Sequence, residues 1–184
     1  MLLSAPTSQL LVIDVQERLL PAMADGDRAM ANMRKLILAA RRLGIPASAS
    51  EQYPKGIGPT VAPIRDALGE ERHVFPKLSF SCARDEALAE HLAEIRAQGR
   101  RQLVVCGIEA HVCVLQSALD LIGAGYEVAV VADAVASRQA ASRDLALVRM
   151  GPAGISAVNT EMVLFEWVER AGTAAFKDVL ALIK

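Results

Sequence analysis

Short apolar runs alternate with amphipathic stretches from one end of the chain to the other. The runs Gln9–Val15, Ile45–Ser50, Arg72–Phe75, Gln102–Cys106, Glu127–Val131 and Gly154–Val158 predict strands. Several are apolar at nearly every position, the pattern of a strand covered on both faces, whereas a strand with one wet face alternates. The stretches Arg28–Leu43, Val61–Leu68, Asp85–Gln98, Val112–Ala124, Gln139–Met150, Thr160–Arg170 and Ala174–Ile183 predict helices. Stop signals fall at their ends: Leu43-Gly44-Ile45-Pro46 closes one and Ala124-Gly125 another. This alternation predicts right-handed βαβ units and an α/β fold. The expected architecture is a doubly wound, mostly parallel six-stranded sheet with helices on both faces, a Rossmann-like three-layer arrangement.

No linker, repeat or low-complexity tract interrupts the pattern, so residues 1–184 read as a single domain. The exception to tight connections is Glu51–Thr60, which carries Pro54, Gly56, Gly58 and Pro59. A loop of that length after a strand is either a surface excursion or a lid over a site.

Composition narrows the class. Hydrophobic residues make up 53% of the chain and aromatics 4%, so the core is built from Ala, Val, Leu and Ile, as suits a layered α/β protein. With 20 basic and 21 acidic residues the net charge is −1, which favours neither nucleic acid nor an anionic membrane as partner. Three cysteines, at 82, 106 and 113, match no zinc-site spacing and argue against a disulfide framework. The start Met1–Pro6 lacks the basic and apolar regions of a signal peptide, and no apolar run is long enough to span a bilayer. The expected setting is cytoplasmic, with reduced thiols.

In an open parallel sheet, ligands bind at the carboxyl ends of the strands. Three polar groups lie just past predicted strand ends. Asp14 closes Leu10-Leu11-Val12-Ile13; it caps a loop or serves a site. Lys77 lies in Phe75-Pro76-Lys77-Leu78-Ser79-Phe80, and Cys113 follows Val104-Val105-Cys106-Gly107 at the expected helix start. A Lys there is ordinarily solvated, and a Cys between two valines is as readily a small core residue. At a helix amino terminus, however, the dipole and free N–H groups would lower a thiol toward the reactive thiolate. As a unit the three are chemically coherent: the ammonium would stabilise a thiolate and the carboxylate would move a proton to a leaving group. Cys82 and Cys106 lack that setting and are assigned no chemistry. His111, two residues from Cys113, is expected to line a pocket rather than act as base.

The pieces Leu11-Val12-Ile13-Asp14-Val15-Gln16, Phe75-Pro76-Lys77 and Cys106-Gly107-Ile108-Glu109-Ala110-His111-Val112-Cys113-Val114 occur in order. Val131-Ala132-Asp133-Ala134 and Ile155–Glu161 follow. Together they resemble the isochorismatase-like cysteine hydrolases along almost the full length. Glu51-Gln52-Tyr53-Pro54-Lys55 and Gly-Ile-Glu-Ala-His-Val-Cys-Val look most like the small isochorismatase-domain-containing branch.

The resemblance implies an Asp14–Lys77–Cys113 triad and a non-proline cis peptide between Ile108 and Glu109. It further implies an oxyanion hole from the Glu109 and Cys113 N–H groups, donors commonly worth about 2.7–4 kcal/mol each. Gln16, Tyr53, Phe80 and His111 are the candidates for the substrate pocket. Nicotinamidase-type members carry an Asp-x-His metal motif in the loop after the second strand. Glu51–Thr60 holds neither residue, so neither a metal nor another cofactor is expected. Retention of Cys113 favours hydrolysis of a C–N bond in a small molecule over vinyl-ether cleavage. Two alternatives stand beside that reading: a catalytically silent binding or assembly module of the same fold, and a redox-sensing thiol protein. The family tends to be oligomeric. The apolar helix Thr160–Arg170, with Met162, Phe165 and Trp167, either supports a homo-oligomer or packs under the last helix.

Overall fold

All six residues of the first strand, Ser8–Ile13, are buried, which places β1 in the middle of the sheet rather than at its edge. A computed structural model describes residues 1–70 and 73–183. After β1 come α1 (Gly26–Arg42), β2 (Ala47–Gln52), α2 (Pro54–Ile57), α3 (Ala62–Leu68), β3 (His73–Lys77) and α4 (Glu86–Ala97). The second half runs β4 (Gln102–Ile108), α5 (Leu115–Gly123), β5 (Glu127–Ala136), α6 (Ala140–Met150), β6 (Ser156–Val158), α7 (Thr160–Val168) and α8 (Ala174–Ile183). The strands form one sheet in the order β3-β2-β1-β4-β5-β6, all parallel. This is the doubly wound order. Its reversal between β1 and β4 leaves the carboxyl ends of those two strands beside the crevice where ligands enter such sheets.

Because side chains alternate along a strand, each strand feeds both layers. Leu10, Val12, Val104 and Cys106 face one side and pack with Met33, Leu36 and Ile37 of α1, Ile64 of α3 and Trp167 of α7. Leu11, Ile13, Leu103 and Val105 face the other, against Leu88 and Leu92 of α4, Leu115 and Leu121 of α5 and Ala146 of α6. In α7, Val163, Leu164 and Trp167 are buried, and the Trp167 indole N–H donates to Ser8 Oγ at 3.0 Å. Phe165 stacks toward Phe176 of α8 with ring centroids 6.4 Å apart. Much of that helix's apolar surplus is therefore spent inside the chain.

The differences from the sequence expectations sit at element ends, where local chemistry decides. β1 stops at Ile13 instead of Val15 because Asp14 takes a left-handed φ of 54°. Both β4 and β5 run further than expected, with a register shift between Val105 and Gly107. The expected helix Val112–Ala124 is two elements: a π-helical turn, Ala110–Val114, and then α5. α7 ends at Val168 because Glu169 is left-handed, φ 58°. The expected start of β3 at Arg72 lies outside the described residues.

Glu51–Thr60 is neither bare loop nor loose lid. It contains the end of β2 and α2, and it is tied down on both sides. Glu51 Oε1 accepts from the Thr60 N–H and hydroxyl at 2.7 and 2.8 Å. Gln16 Nε2 donates to Gly58 O at 2.6 Å, and Arg18 Nη1 to Gly56 O at 2.7 Å.

Candidate active site

Ile13 pairs with Ser50 on one side and Gly107 on the other, so the ends of β2, β1 and β4 lie abreast. Asp14, one residue beyond, is wholly buried. A carboxylate there needs partners, since desolvation without them costs several kcal/mol. It has them. Ser50 Oγ donates to Oδ1 at 2.7 Å and Lys77 Nζ to Oδ2 at 2.8 Å, and the Cys113 thiol is within hydrogen-bonding reach.

Lys77, last residue of β3, is 2% exposed, an unusual state for a lysine. Beyond Asp14, its ammonium donates to Gln52 Oε1 at 2.6 Å and approaches the Ser79 and Phe80 carbonyls at 3.2 and 3.1 Å. Burial works to lower its pKa, but the charge of Asp14, then the ionisable thiols of Cys113 and Cys82 and the Asp14 hydrogen bond, outweigh that and raise it. Lys77 is thus held as a cation at neutral pH.

Cys113 is 6% exposed and sits inside the π-helical turn, ahead of the first residue of α5. The sequence reading expected a helix amino terminus to lower this thiol. The structure places it differently and the direction is reversed: burial first, then the charge of Asp14, push it up, with Lys77 opposing. Its surroundings therefore favour the protonated thiol beside Asp14. The peptide bond between Ile108 and Glu109 is cis. The turn that carries Cys113 is moored to the end of β5: Glu109 Oε2 accepts from Arg138 N and Nε at 3.0 and 3.1 Å, and His111 Nδ1 meets Ser137 Oγ at 3.0 Å.

The remaining expected pocket residues divide. Tyr53, half-exposed with φ 38°, lines a cleft of about 480 Å³ together with Lys77, Leu78 and Ser79. Phe80 is 53% exposed and contributes its carbonyl to Lys77. His111 is half-buried against Ser137. Gln16 is fully buried, and its amide bonds the backbone of Gln52 in both directions as well as Gly58 O, so its polar atoms are taken up within the chain.

Three members of the cluster escaped the sequence reading. Ser50 and Gln52 lie on one face of β2, and polar residues at every second position near a buried strand's carboxyl end were the available signal. Cys82, assigned no chemistry from sequence, is wholly buried with its thiol 3.6 Å from Ser50 Oγ and its N–H on Ser117 Oγ at 2.8 Å. Nothing local to Cys82 reveals that placement. Among the described residues, no three His, Cys, Asp or Glu side chains are grouped to hold a metal ion.

The buried thiols give alkaline stability a definite sign. Cys82 is pushed up to about 11, by burial first and then by Asp14. Burial pushes Cys106 up too, as it does Cys113. The unfolded chain sheds these protons near the ordinary thiol value of 9.0 while the folded chain keeps them. Stability therefore falls as pH rises above about 9, by up to ~1.4 kcal/mol per pH unit for each thiol. Lys77 adds to the loss, since its contribution is intact below 10.5 and disappears as pH climbs through its raised folded value. Urea midpoints measured from pH 7 to 11 should drop from pH 9 onward, and less steeply in Cys106→Ala. A flat profile would contradict the placement of the thiols.

The fold and this cluster define a doubly wound α/β protein with a carboxylate, an ammonium and a thiol gathered at the switch point of its sheet. The chain belongs to the isochorismatase family, and residues 8–162 match the isochorismatase domain. Isochorismatase domain-containing protein 1 of Danio rerio is 43% identical over 182 residues, taking in 99% of this chain. The chain spans 62% of that relative's length. Isochorismatase domain-containing protein 2 of the same fish is 38% identical over 182 residues, covering 98% of this chain and 89% of the relative. A solved structure described as the MAR1 ribonuclease from Caenorhabditis elegans superposes with a TM-score of 0.92 at 35% identity, over 100% of this chain and 92% of that one.

Proposed function

We propose that this protein is a metal-independent cysteine hydrolase that cleaves the C–N bond of a small amide-type molecule through a thioester. The observation that carries the reading is the convergence of Asp14, Lys77 and Cys113, from three separate elements, on one buried cluster.

With a neutral thiol at rest, the first step is proton transfer from Cys113 to Asp14 as Sγ attacks the carbonyl carbon. The oxyanion that forms is received by the Glu109 and Cys113 N–H groups. Asp14 then gives its proton to the departing nitrogen, the C–N bond breaks, and the acyl group remains on sulfur. Water attacks the thioester with Asp14 as base, which releases the carboxylic acid and restores the thiol. Lys77 never leaves its charged state: it compensates Asp14 in one half of the cycle and the developing thiolate in the other. Tyr53, Phe80 and His111 are the candidates for substrate contacts.

The reading includes a reducing, cytoplasmic setting, supported by three free, buried thiols. Among the described residues no helix is long and apolar enough to cross a membrane. Self-association is supported by the exposed Leu145 and Val148 on α6 and Met162 and Phe165 on α7.

A panel of small carboxamides and ureas, scored for ammonia release, tests the proposal. Wild type should turn over at least one member, and Cys113→Ser should lose at least about 10³-fold of that rate, as nucleophile removal does. Full activity in Cys113→Ser would sink the covalent mechanism. Because a relative is described as a ribonuclease, RNA belongs in the same panel. Cleavage of RNA with no ammonia from any amide would replace the C–N reading.

A further inference from the structure

The triad accounts for two of the donors that meet Asp14 and leaves the third unexplained. Ser50 is 1% exposed, on β2, and its hydroxyl reaches Asp14 Oδ1 at 2.7 Å, opposite the oxygen taken by Lys77. A buried serine with no further duty could be alanine at little cost; this one is placed on the proton-carrying group. Its own oxygen faces Cys82, whose thiol lies 3.6 Å away. Cys82 stays protonated below about 11, so it faces Ser50 as a weak S–H donor while Asp14 only accepts. The direction of the serine O–H is thereby set toward Asp14. Cys82 is itself fixed by its N–H on Ser117 Oγ, so the arm Ser117–Cys82–Ser50–Asp14 is anchored at both ends.

We infer that Ser50 is a positioning residue of the triad. It acts through Asp14, fixing the carboxylate's orientation and setting the pH at which Asp14 ceases to accept the Cys113 proton. The inference rests on the proposed role of Asp14 as base to Cys113. The physical ground is that a hydrogen bond to a carboxylate favours its ionised form, so it makes Asp14 a weaker base and extends its working range to lower pH. The charged and titratable groups facing Asp14 are Lys77 at the end of β3, Cys82 in the turn that follows, and Cys113 in the π-helical turn. Lys77, Cys82 and Cys113 all titrate well above the acid range, so they hold their charge states there while Ser50 is varied.

The test needs no substrate. Iodoacetamide labels thiols through the thiolate, and mass spectrometry places the label at Cys113 apart from Cys82 and Cys106. In wild type, the rate of Cys113 labelling against pH should show an acid limb set by Asp14, which Asp14→Asn replaces with the thiol's own, more alkaline ionisation. In Ser50→Ala that limb should move up by about one pH unit, the size expected for loss of one hydrogen bond to a carboxylate. Ser50→Thr, which keeps the hydroxyl, should return it to the wild-type position. Cys82→Ser should move it by less than Ser50→Ala.

A limb that stays in place in Ser50→Ala while wild type still depends on Asp14 overturns the role of Ser50 alone. So does a shift that Ser50→Thr fails to reverse, since that marks lost packing instead of a lost donor. If Cys113 labels identically in wild type and Asp14→Asn, or does not label at any pH, Asp14 is not its base and both readings fall.

Discussion

Replacing Lys77 by Met should destabilise the fold by about 3–5 kcal/mol, because it strands Asp14 as a buried carboxylate without its counter-charge. The two side chains are 2.8 Å apart and neither reaches solvent. Met fills most of the space of the lysine stem, so the loss is electrostatic more than steric. For a domain of this size that corresponds to a melting midpoint lower by roughly 10–15 °C. Asp14→Asn in the same chain should recover a good part of the deficit, since no charge is then left buried. Thermal melts of wild type, both single variants and the double variant close the cycle. A double variant no better than the sum of the singles would mean the two residues are not coupled. The pair is also weak evidence for stability as such, since an apolar pair of similar volume is often as stable.

Gly107→Ala should cost about 3–5 kcal/mol, from a strained backbone and an overpacked contact together. Gly107 has φ 129°, outside the range that side chains tolerate. A Cβ there would also lie 2.5 Å from Ile13 N and closer still to its carbonyl oxygen. β4 can approach β1 this closely at its end only without a side chain. The same approach puts the Cys113 turn beside Asp14, so the variant should lose site geometry along with stability. Urea unfolding gives the first quantity, and the pH dependence of Cys113 labelling gives the second. A variant within about 0.5 kcal/mol of wild type would show that the Ile13 backbone yields, contrary to the packing described.

The layers of the fold were legible because burial on both faces leaves a mark in sequence. β1 and β4 are continuous apolar runs, and helices with one apolar face stand between them. The clustered Asp14, Lys77 and Cys113 had a related signal: Asp14 directly follows such a run, Lys77 ends β3 and Cys113 lies in the turn after β4, and the order of the motifs resembles one family. Ser50 and Gln52 were harder. They lie in a strand written Ala-Ser-Ala-Ser-Glu-Gln, and their importance depends on which strand lies beside it. Cys82 carried no signal at all, since its neighbours Ser50 and Ser117 are 32 and 35 residues away.

For Cys113, sequence determined that a thiol follows a buried strand, with a carboxylate and an ammonium after two others. It also determined that the sheet is doubly wound, because local patterning sets element type and the handedness of βαβ units sets their order. The ionisation of the cluster was decided only in the tertiary structure. A helix terminus read in isolation argues for a thiolate; burial next to Asp14 makes the group a thiol. The physical reason is distance. Propensity and periodicity act over a few residues, whereas desolvation and Coulomb interactions depend on what the fold brings within a few ångströms, whatever its separation along the chain.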